Sequence, residues 1–532
     1  MTTTIQHPSL GQIRGKAVDH VTQYLGVKYA SLKDRFAEAE MITGPMSEDV
    51  FDATAYGPYP VTPPEGMDIE FQVIQHSLPK PDPAPVMSDV DCLNLNITVP
   101  SSVSGKPAAG LPVLAWIHGG GFLFGGNYFP AYDFKRLVKL GMEIDKPFIG
   151  VNIGYRLGIT GMLTSSEMRA AGYKPNNGLR DQAVALRWIK AHIAGFGGDG
   201  ENVTIMGESA GSASIFHHLH NTSPLFRRAI PMSGTPLLSK PRSPAQAEAT
   251  YRAVTAELGL SKYTPAERIA LLRTMPMEAL LAATPDELSL IPVQDPATVT
   301  APTSLRALAA LTPPPHRPWC QHLLTGSCAA DAHAFTYLAP RAFEASAASL
   351  AQAFTASVSA SLASTPALAS NLLAAYAITP DLARDEAEKR IVAFGSATAF
   401  AAPARTYAGA GLAEKAHVYA FEVRNPWKGP FKGHATHILD VALVFGNFEE
   451  FLPEEVRGVA RAFARDVVAF VGGEEPGWDG VKGAEGGEVR VYADGGVGVR
   501  GWAEGHVLMD VTRDVGELDL LAGAWEAFLG GQ

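Results

Sequence analysis

Cysteine is scarce in this chain. Three occur among 532 residues, Cys92, Cys320 and Cys328, an odd and sparse set that excludes a disulfide framework and reads as reduced thiols. Long basic runs are missing too, and the formal net charge is −11. The chain therefore has no electrostatic footprint for a phosphate backbone, and nucleic acid is not an expected partner. No stretch approaches the roughly 18 consecutive apolar residues of a spanning helix, so no membrane span is expected. The opening MTTTIQHP lacks the basic and apolar regions of a secretory signal, which makes the cytoplasm the expected location. Asn-x-Ser/Thr sites at Asn96, Asn202 and Asn221 read as coincidental, since Asn202 opens an apolar run that belongs to the interior.

What the chain does have is material for a large core, with 46% hydrophobic residues. Short apolar runs alternate with helical patterns through its middle. That alternation marks an α/β fold whose mostly parallel sheet is covered by helices on both faces. Residues 111–117, 148–153, 203–206 and 229–232 are the expected strands. Leu179, Ala183, Leu186, Ile189 and Ile193 recur at helical spacing between the second and third. Strand character returns at 417–423, a helix is expected over 454–470, and the Gly-rich tract at 472–501 reads as hairpin and loop. Length alone permits several domains. The spread of motifs points to a single domain over 1–532, with helical insertions at about 239–315, ending in Leu311-Thr-Pro-Pro-Pro315, and about 340–410.

Gly207-Glu208-Ser209-Ala210-Gly211 follows the apolar run 203–206 and precedes a helix-competent stretch. A sharp turn between strand and helix holds a serine in a strained conformation and pushes its hydroxyl out above the sheet. Ser209 is therefore the candidate nucleophile. Attack on a carbonyl creates a negative oxygen that needs fixed N–H donors. His118-Gly-Gly-Gly-Phe122 follows the strand at 111–117, and Gly120, Gly121 and Ala210 are the expected donors. Phe122 and Phe124, beside that loop, are candidates for lining a substrate pocket, with plain packing as the alternative.

A serine nucleophile also needs a neutral imidazole as base and a carboxylate behind it, in the chain order Ser, acid, His. His434 and His437 both lie on a loop entering an apolar run, and periodicity does not choose between them. Asp331, the one carboxylate between Trp319 and Tyr337, is the candidate acid, though such an Asp is ordinarily a helix cap.

Taken together, these residues resemble the type-B carboxylesterase and cholinesterase family. The likeness includes Gly11-Gln-Ile-Arg-Gly15, Asp91-Cys-Leu-Asn-Leu-Asn96, Tyr155-Arg-Leu-Gly158, Asn177-Gly-Leu-Arg-Asp-Gln182 and Phe196-Gly-Gly-Asp199, and runs to about residue 478. It implies the α/β-hydrolase fold and a carboxylic-ester hydrolase of the Ser209, His437, Asp331 type, acting on a small-molecule ester through an acyl-enzyme, with no metal or organic cofactor. His437 fits the family register, three residues before Asp440 and eight before Phe445-Gly446, whereas His434 does not. Many members carry Glu followed by Gly where this chain has Asp331-Ala332. The likeness also implies supporting roles for Glu208 and Ser233. Cys92 matches half of a disulfide of secreted members without its partner, and no Trp lies between Pro60 and Asp91, so choline esters are not expected. The chain looks closest to fungal intracellular members. An acyltransferase built on the same triad and a non-catalytic binding protein are the competing readings. The sequence does not state the oligomeric state.

Overall fold

The computed structural model describes residues 1–101, 110–221, 223–284, 290–310, 318–344, 349–482 and 486–531. The proline run at 311–315 and parts of the expected insertion at about 340–410 and of the tract at 472–501 lie outside the described residues. One large sheet organises the chain. In chain order its strands are β1 (Thr2–His7), β2 (Gly11–Val18), β3 (Val21–Lys28), β4 (Asn94–Pro100), β5 (Leu111–Ile117), β6 (Ile149–Ile153), β7 (Gly198–Glu208), β8 (Arg228–Met232), β9 (Cys320–Cys328), β10 (Ala413–Glu422), β11 (Glu488–Ala493) and β12 (Gly496–Gly501). They lie in the order β1-β2-β3-β4-β6-β5-β7-β8-β9-β10-β11-β12, and a short strand, Val50–Ala53, pairs with β2. Every pairing from β6 through β11 is parallel, while the strands at both edges are antiparallel.

Parallel strands must be covered on both faces, so they read as continuous apolar runs rather than alternating ones. The five residues of β6 and the five of β8 are all buried. Their side chains still sort by parity into two cores. Val113, Ala115, Ile117, Val151 and Ile205 face one, and Leu114, Trp116, Met206, Ile230 and Leu324 face the other.

The helices used below are α1 (Gly66–Ile74), α2 (Asn177–His192), α3 (Ala210–Leu219), α4 (Arg384–Ser396), α5 (Ala402–Gly409), α6 (Leu439–Val444), α7 (Glu454–Val471) and α8 (Val515–Leu529). In α7, Val456, Val459, Ala460, Phe463, Val467 and Val471 form a buried stripe at spacings of three and four. Helices Pro244–Glu257 and Pro265–Thr274, between β8 and β9, each begin with proline behind a Ser or Thr that closes a capping box. Helices between β9 and β10 join α8 around a third core containing Phe335, Phe354, Phe394, Trp525 and Phe528.

The sequence blocks separated along the chain meet here. Arg156 donates from Nε and Nη2 to the two carboxylate oxygens of Asp181, both at 2.8 Å, with neither side chain exposed. Its Nη1 reaches the carbonyls of Arg35 and Ala37 at 3.0 and 2.8 Å. A buried fork with its remaining donors satisfied ties the start of α2 to the N-terminal region. Among the described residues no helix is long and apolar enough to cross a membrane.

Candidate active site

The carboxyl ends of the parallel strands converge on one edge of the sheet, where open α/β sheets carry their sites. Strand β7 ends at Glu208, and Ser209 follows with φ 55° and ψ −118°, capping α3. This is the strained turn expected of the Gly-x-Ser-x-Gly segment. Glycine is sterically required on the far side, because a Cβ on Gly211 would collide with the Ile117 carbonyl. The Ser209 N–H donates to the Met232 carbonyl at 3.0 Å, which anchors the turn to β8. Ser209 itself is 9% exposed.

The glycine triplet after β5 lies against this turn. A Cβ on Gly119 would stand 2.8 Å from Glu208 Oε2 and 3.1 Å from the Ser209 Cβ. Gly120 and Gly121 take φ of 91° and 61°, left-handed geometry that favours residues without a Cβ. The Gly120 carbonyl accepts from Leu123 and Phe124, whereas the N–H groups of Gly120 and Gly121 donate to no acceptor among the described residues. His118, fully buried and stacked on Tyr155 with ring centroids 4.5 Å apart, secures the start of the loop. Burial pulls its imidazole down to about 4, so it is neutral. Phe122 is wholly enclosed in the core, which is a packing position, while Phe124 keeps partial exposure beside Gly120.

Two loops bring base and acid together. Ala330 pairs with Thr436 in an isolated parallel bridge, and the Ala330 N–H donates to the Ala435 carbonyl at 2.8 Å. Asp331 then opens a short 3-10 turn, Asp331–Ala334, so it begins a helical turn as well as facing a histidine. His437 Nδ1 lies 2.7 Å from Asp331 Oδ1. Asp331 Oδ2 accepts from the Cys328 N–H at 2.8 Å, and the same N–H is 3.3 Å from Ser233 Oγ. The His437 backbone N–H donates to His333 Nδ1 at 3.0 Å, and Phe400 meets the His437 ring edge-on at 5.4 Å. Of the two histidines left open by periodicity, His437 is therefore the one beside Asp331. Asp440, the neighbouring acid, instead accepts from the Tyr419 hydroxyl and the Val441 N–H, both at 2.8 Å.

The outer nitrogen of His437 faces a second carboxylate. Nε2 is 2.9 Å from Glu208 Oε1, a contact without a hydrogen bond's alignment. Ser209 Oγ makes no hydrogen bond among the described residues, and the carboxylate that meets Nε2 is that of Glu208. Burial alone would lower the basicity of His437, but Glu208 and Asp331 overcome it and hold the imidazole well above its ordinary 6.5. Glu208 and Asp331 are themselves pushed up by burial, with His437 pulling each back down. Two acids on one imidazole favour its protonated form.

Two further acids lie near this group: Asp440, which the sequence marked only through the register of His437, and Glu70, which it did not single out. Asp440 is pushed up to about 7 by burial and then by Asp331 and Glu208. Glu70, on α1, is raised to about 8 by burial, with Glu208 adding to the rise. The Tyr132 hydroxyl donates to Glu70 Oε2 at 2.5 Å, and Oε1 is buried without a partner. Helix α1 occupies the span where the family likeness directs attention to a missing tryptophan. Phe400, on the π-helical turn Ala397–Ala401, was also missed; such turns often mark functional sites. Among the described residues, no group of three or more His, Cys, Asp or Glu is arranged to hold a metal ion.

A sheet of this order with a serine turn, glycine loop and histidine–acid pair at its carboxyl edge has the α/β-hydrolase fold. The profile of the carboxylesterase family matches residues 2–479, and the chain belongs to that family. It is similar to a para-nitrobenzyl esterase of Bacillus subtilis (strain 168), 35% identical over 53% of each chain. Lipase 2 of Diutina rugosa is 38% identical over 37% of this chain and 36% of the lipase, so the match spans only part of the curated relatives' length. A solved PNB esterase structure superposes with a TM-score of 0.73 at 26% identity, covering 96% of this chain and 99% of the other. A thermophilic PNB esterase gives 0.75 at 25% identity, with the same coverage.

Proposed function

We propose that this protein is a carboxylic-ester hydrolase working through an acyl-enzyme on Ser209. The observation that carries the reading is the 2.7 Å contact between His437 Nδ1 and Asp331 Oδ1, made beside a serine turn and a loop of free backbone N–H groups. A carboxylate on Nδ1 fixes the imidazole tautomer and steadies the imidazolium that forms.

When an ester seats against Gly120 and Gly121, Nε2 of the deprotonated His437, the form that rising pH populates, turns from Glu208 to the adjoining Ser209. The serine proton passes to Nε2 as Oγ bonds to the carbonyl carbon. Gly120, Gly121 and Ala210 N–H groups take the charge on the carbonyl oxygen. Collapse breaks the bond to the alcohol oxygen, which leaves with the proton from Nε2. Water repeats the sequence, giving its proton to His437 while its oxygen bonds to the acyl carbon, and the acid departs from Ser209. Glu208 stabilises the imidazolium in both halves, Ser233 supports Asp331, and Phe124 lines the substrate side of the glycine loop.

The test is labelling with an alkyl fluorophosphonate followed by peptide mapping, with hydrolysis of aryl esters of rising acyl length measured in parallel. Stoichiometric modification of Ser209 with loss of hydrolysis is expected. Modification elsewhere, or full hydrolysis by the labelled protein, refutes the assignment.

A further inference from the structure

A cleft with a volume of about 190 Å³ is lined in part by Gly326 to Ala329, the end of the strand that leads to Asp331. Its walls come from β9 and β10, from α4 and α5, and from the segment after β12. Arg405, Arg500, His506 and Tyr376 all contribute to it. In a chain of net charge −11, this is a local concentration of positive charge. It plays no part in the ester chemistry proposed above.

Several donors lining this cleft have no acceptor among the described residues. Arg500 Nη1 pairs with Glu422 Oε1 at 2.6 Å, which uses the one carboxylate lining the cleft among the described residues. Arg405 is 8% exposed, and among the described residues it has no acidic partner. One of its nitrogens donates to the Trp502 carbonyl, and its guanidinium lies 5.0 Å over the Trp502 ring. Burial and the neighbouring Arg500 depress it to about 10, with no carboxylate to offset them. His506 is 7% exposed, and neither ring nitrogen meets a donor or acceptor of another residue. The Arg500 Nε and the Tyr376 hydroxyl are also buried without partners.

Buried polar groups in a folded protein nearly always find partners, so several unmet ones sharing a cleft demand an explanation. A solvent molecule satisfies two to four such groups but leaves the charge of Arg405 uncompensated. A small oxyanion meets both needs. Its oxygens are acceptors only, as ionised carboxylate oxygens are, and charge-assisted hydrogen bonds to arginine are the strong kind. We propose that this cleft is a binding site for a small oxyanion, a carboxylate or an inorganic sulfate or phosphate, held by Arg405, Arg500, His506 and Tyr376.

Isothermal titration of the whole protein with sodium sulfate, and separately with sodium acetate, against chloride at matched ionic strength, tests this. Saturable one-site binding of sulfate or acetate is expected, and the stronger of the two identifies the source. Arg405→Gln should weaken it about tenfold or more, the loss of one charged hydrogen-bond partner. Should Arg405→Gln fail to fold, Tyr376→Phe and His506→Gln must each weaken binding in the folded protein. Ser209→Ala should bind as the parent does, which separates this cleft from the backbone donors at the serine. Thermal unfolding adds a check: a specific ion gives a rise that saturates with concentration, whereas general salt exclusion gives one shared by every variant. Absence of saturable binding, equal affinity in Arg405→Gln, or binding lost in Ser209→Ala would each overturn the proposal.

Discussion

Replacing Glu208 by glutamine removes a negative charge while keeping the shape of the side chain. Its Oε1 lies 2.9 Å from His437 Nε2, and both residues are buried. At an effective dielectric of 20, two full charges at that separation attract by about 6 kcal/mol, or about 4 pH units of basicity. That is a ceiling, because burial raises Glu208's own proton affinity and so reduces the charge it carries. Opposite charges at close range ordinarily move a titration by about 1–3 pH units. A base must be deprotonated to act, so a His437 held above 6.5 makes kcat/KM climb at a correspondingly higher pH. In Glu208→Gln the acid limb of the kcat/KM profile should therefore move about 1–3 pH units toward acid. The plateau should fall as well, since the imidazolium in the transition state loses a neighbouring charge. The assay is hydrolysis of a short-chain aryl ester followed by pH-stat titration, with circular dichroism confirming an intact fold. An acid limb that stays where it is in the parent refutes the electrostatic account of His437.

Ser209→Ala should lower turnover by about six orders of magnitude if the three residues act as a unit, as measured in single-turnover assays. Asp331→Asn should impair kcat far more than Asp440→Asn, because Asp331 bonds to His437 and Asp440 to Tyr419 and Val441; the reverse order would reassign the acid. Glu70, raised to about 8, is mostly protonated at neutrality, so Glu70→Gln should match the parent's kcat/KM below that pH and lose whatever change the parent shows above it. The same raised carboxyl makes the folded state hold a proton that the unfolded chain releases near 4.5. Parent stability should thus decline, relative to Glu70→Gln, as pH climbs from 4.5 toward 8, and thermal unfolding across that range checks it. Asp181→Ala, which strands the buried Arg156, should cost about 3–5 kcal/mol in urea unfolding.

Much of the sheet was legible because its strands carry their own signal. Residues 111–117 form β5 with the expected bounds, and β8 begins one residue earlier than the apolar run at 229 suggests. Strand β7 starts at Gly198, well before Val203, because its polar opening pairs with β5 at Leu111 across an irregularity that no hydrophobic pattern encodes. The serine turn was readable for a similar reason, since Gly207 and Gly211 are demanded by neighbouring backbone whatever the substrate. Asp331 was harder. Its local sequence supports an ordinary turn-opening role, which it also fills, and only the bridge between Ala330 and Thr436 brings His437 to it. Glu70 left no signal at all. A glutamate on a short helix reads as solvated, and its burial depends on Tyr132, 62 positions further along the chain.

The charge state of the site is thus the part that spacing cannot convey, and it follows from enclosure. Glu208, Asp331, Asp440 and Glu70 are each at most 4% exposed. His437 contacts two of them. With side chains this enclosed, four carboxylates near one imidazole would leave an excess of negative charge that burial strongly penalises. Protons must stay on some of them near neutrality, and Asp440 and Glu70, raised to about 7 and about 8, are the acids that keep theirs most readily. At about 7, Asp440 carries only part of a negative charge near neutrality and weighs less on Asp331 than a full charge would. The charge acting on Nδ1 then comes chiefly from Asp331, and Glu208 is left as the adjustable influence on Nε2, the nitrogen that has to reach Ser209.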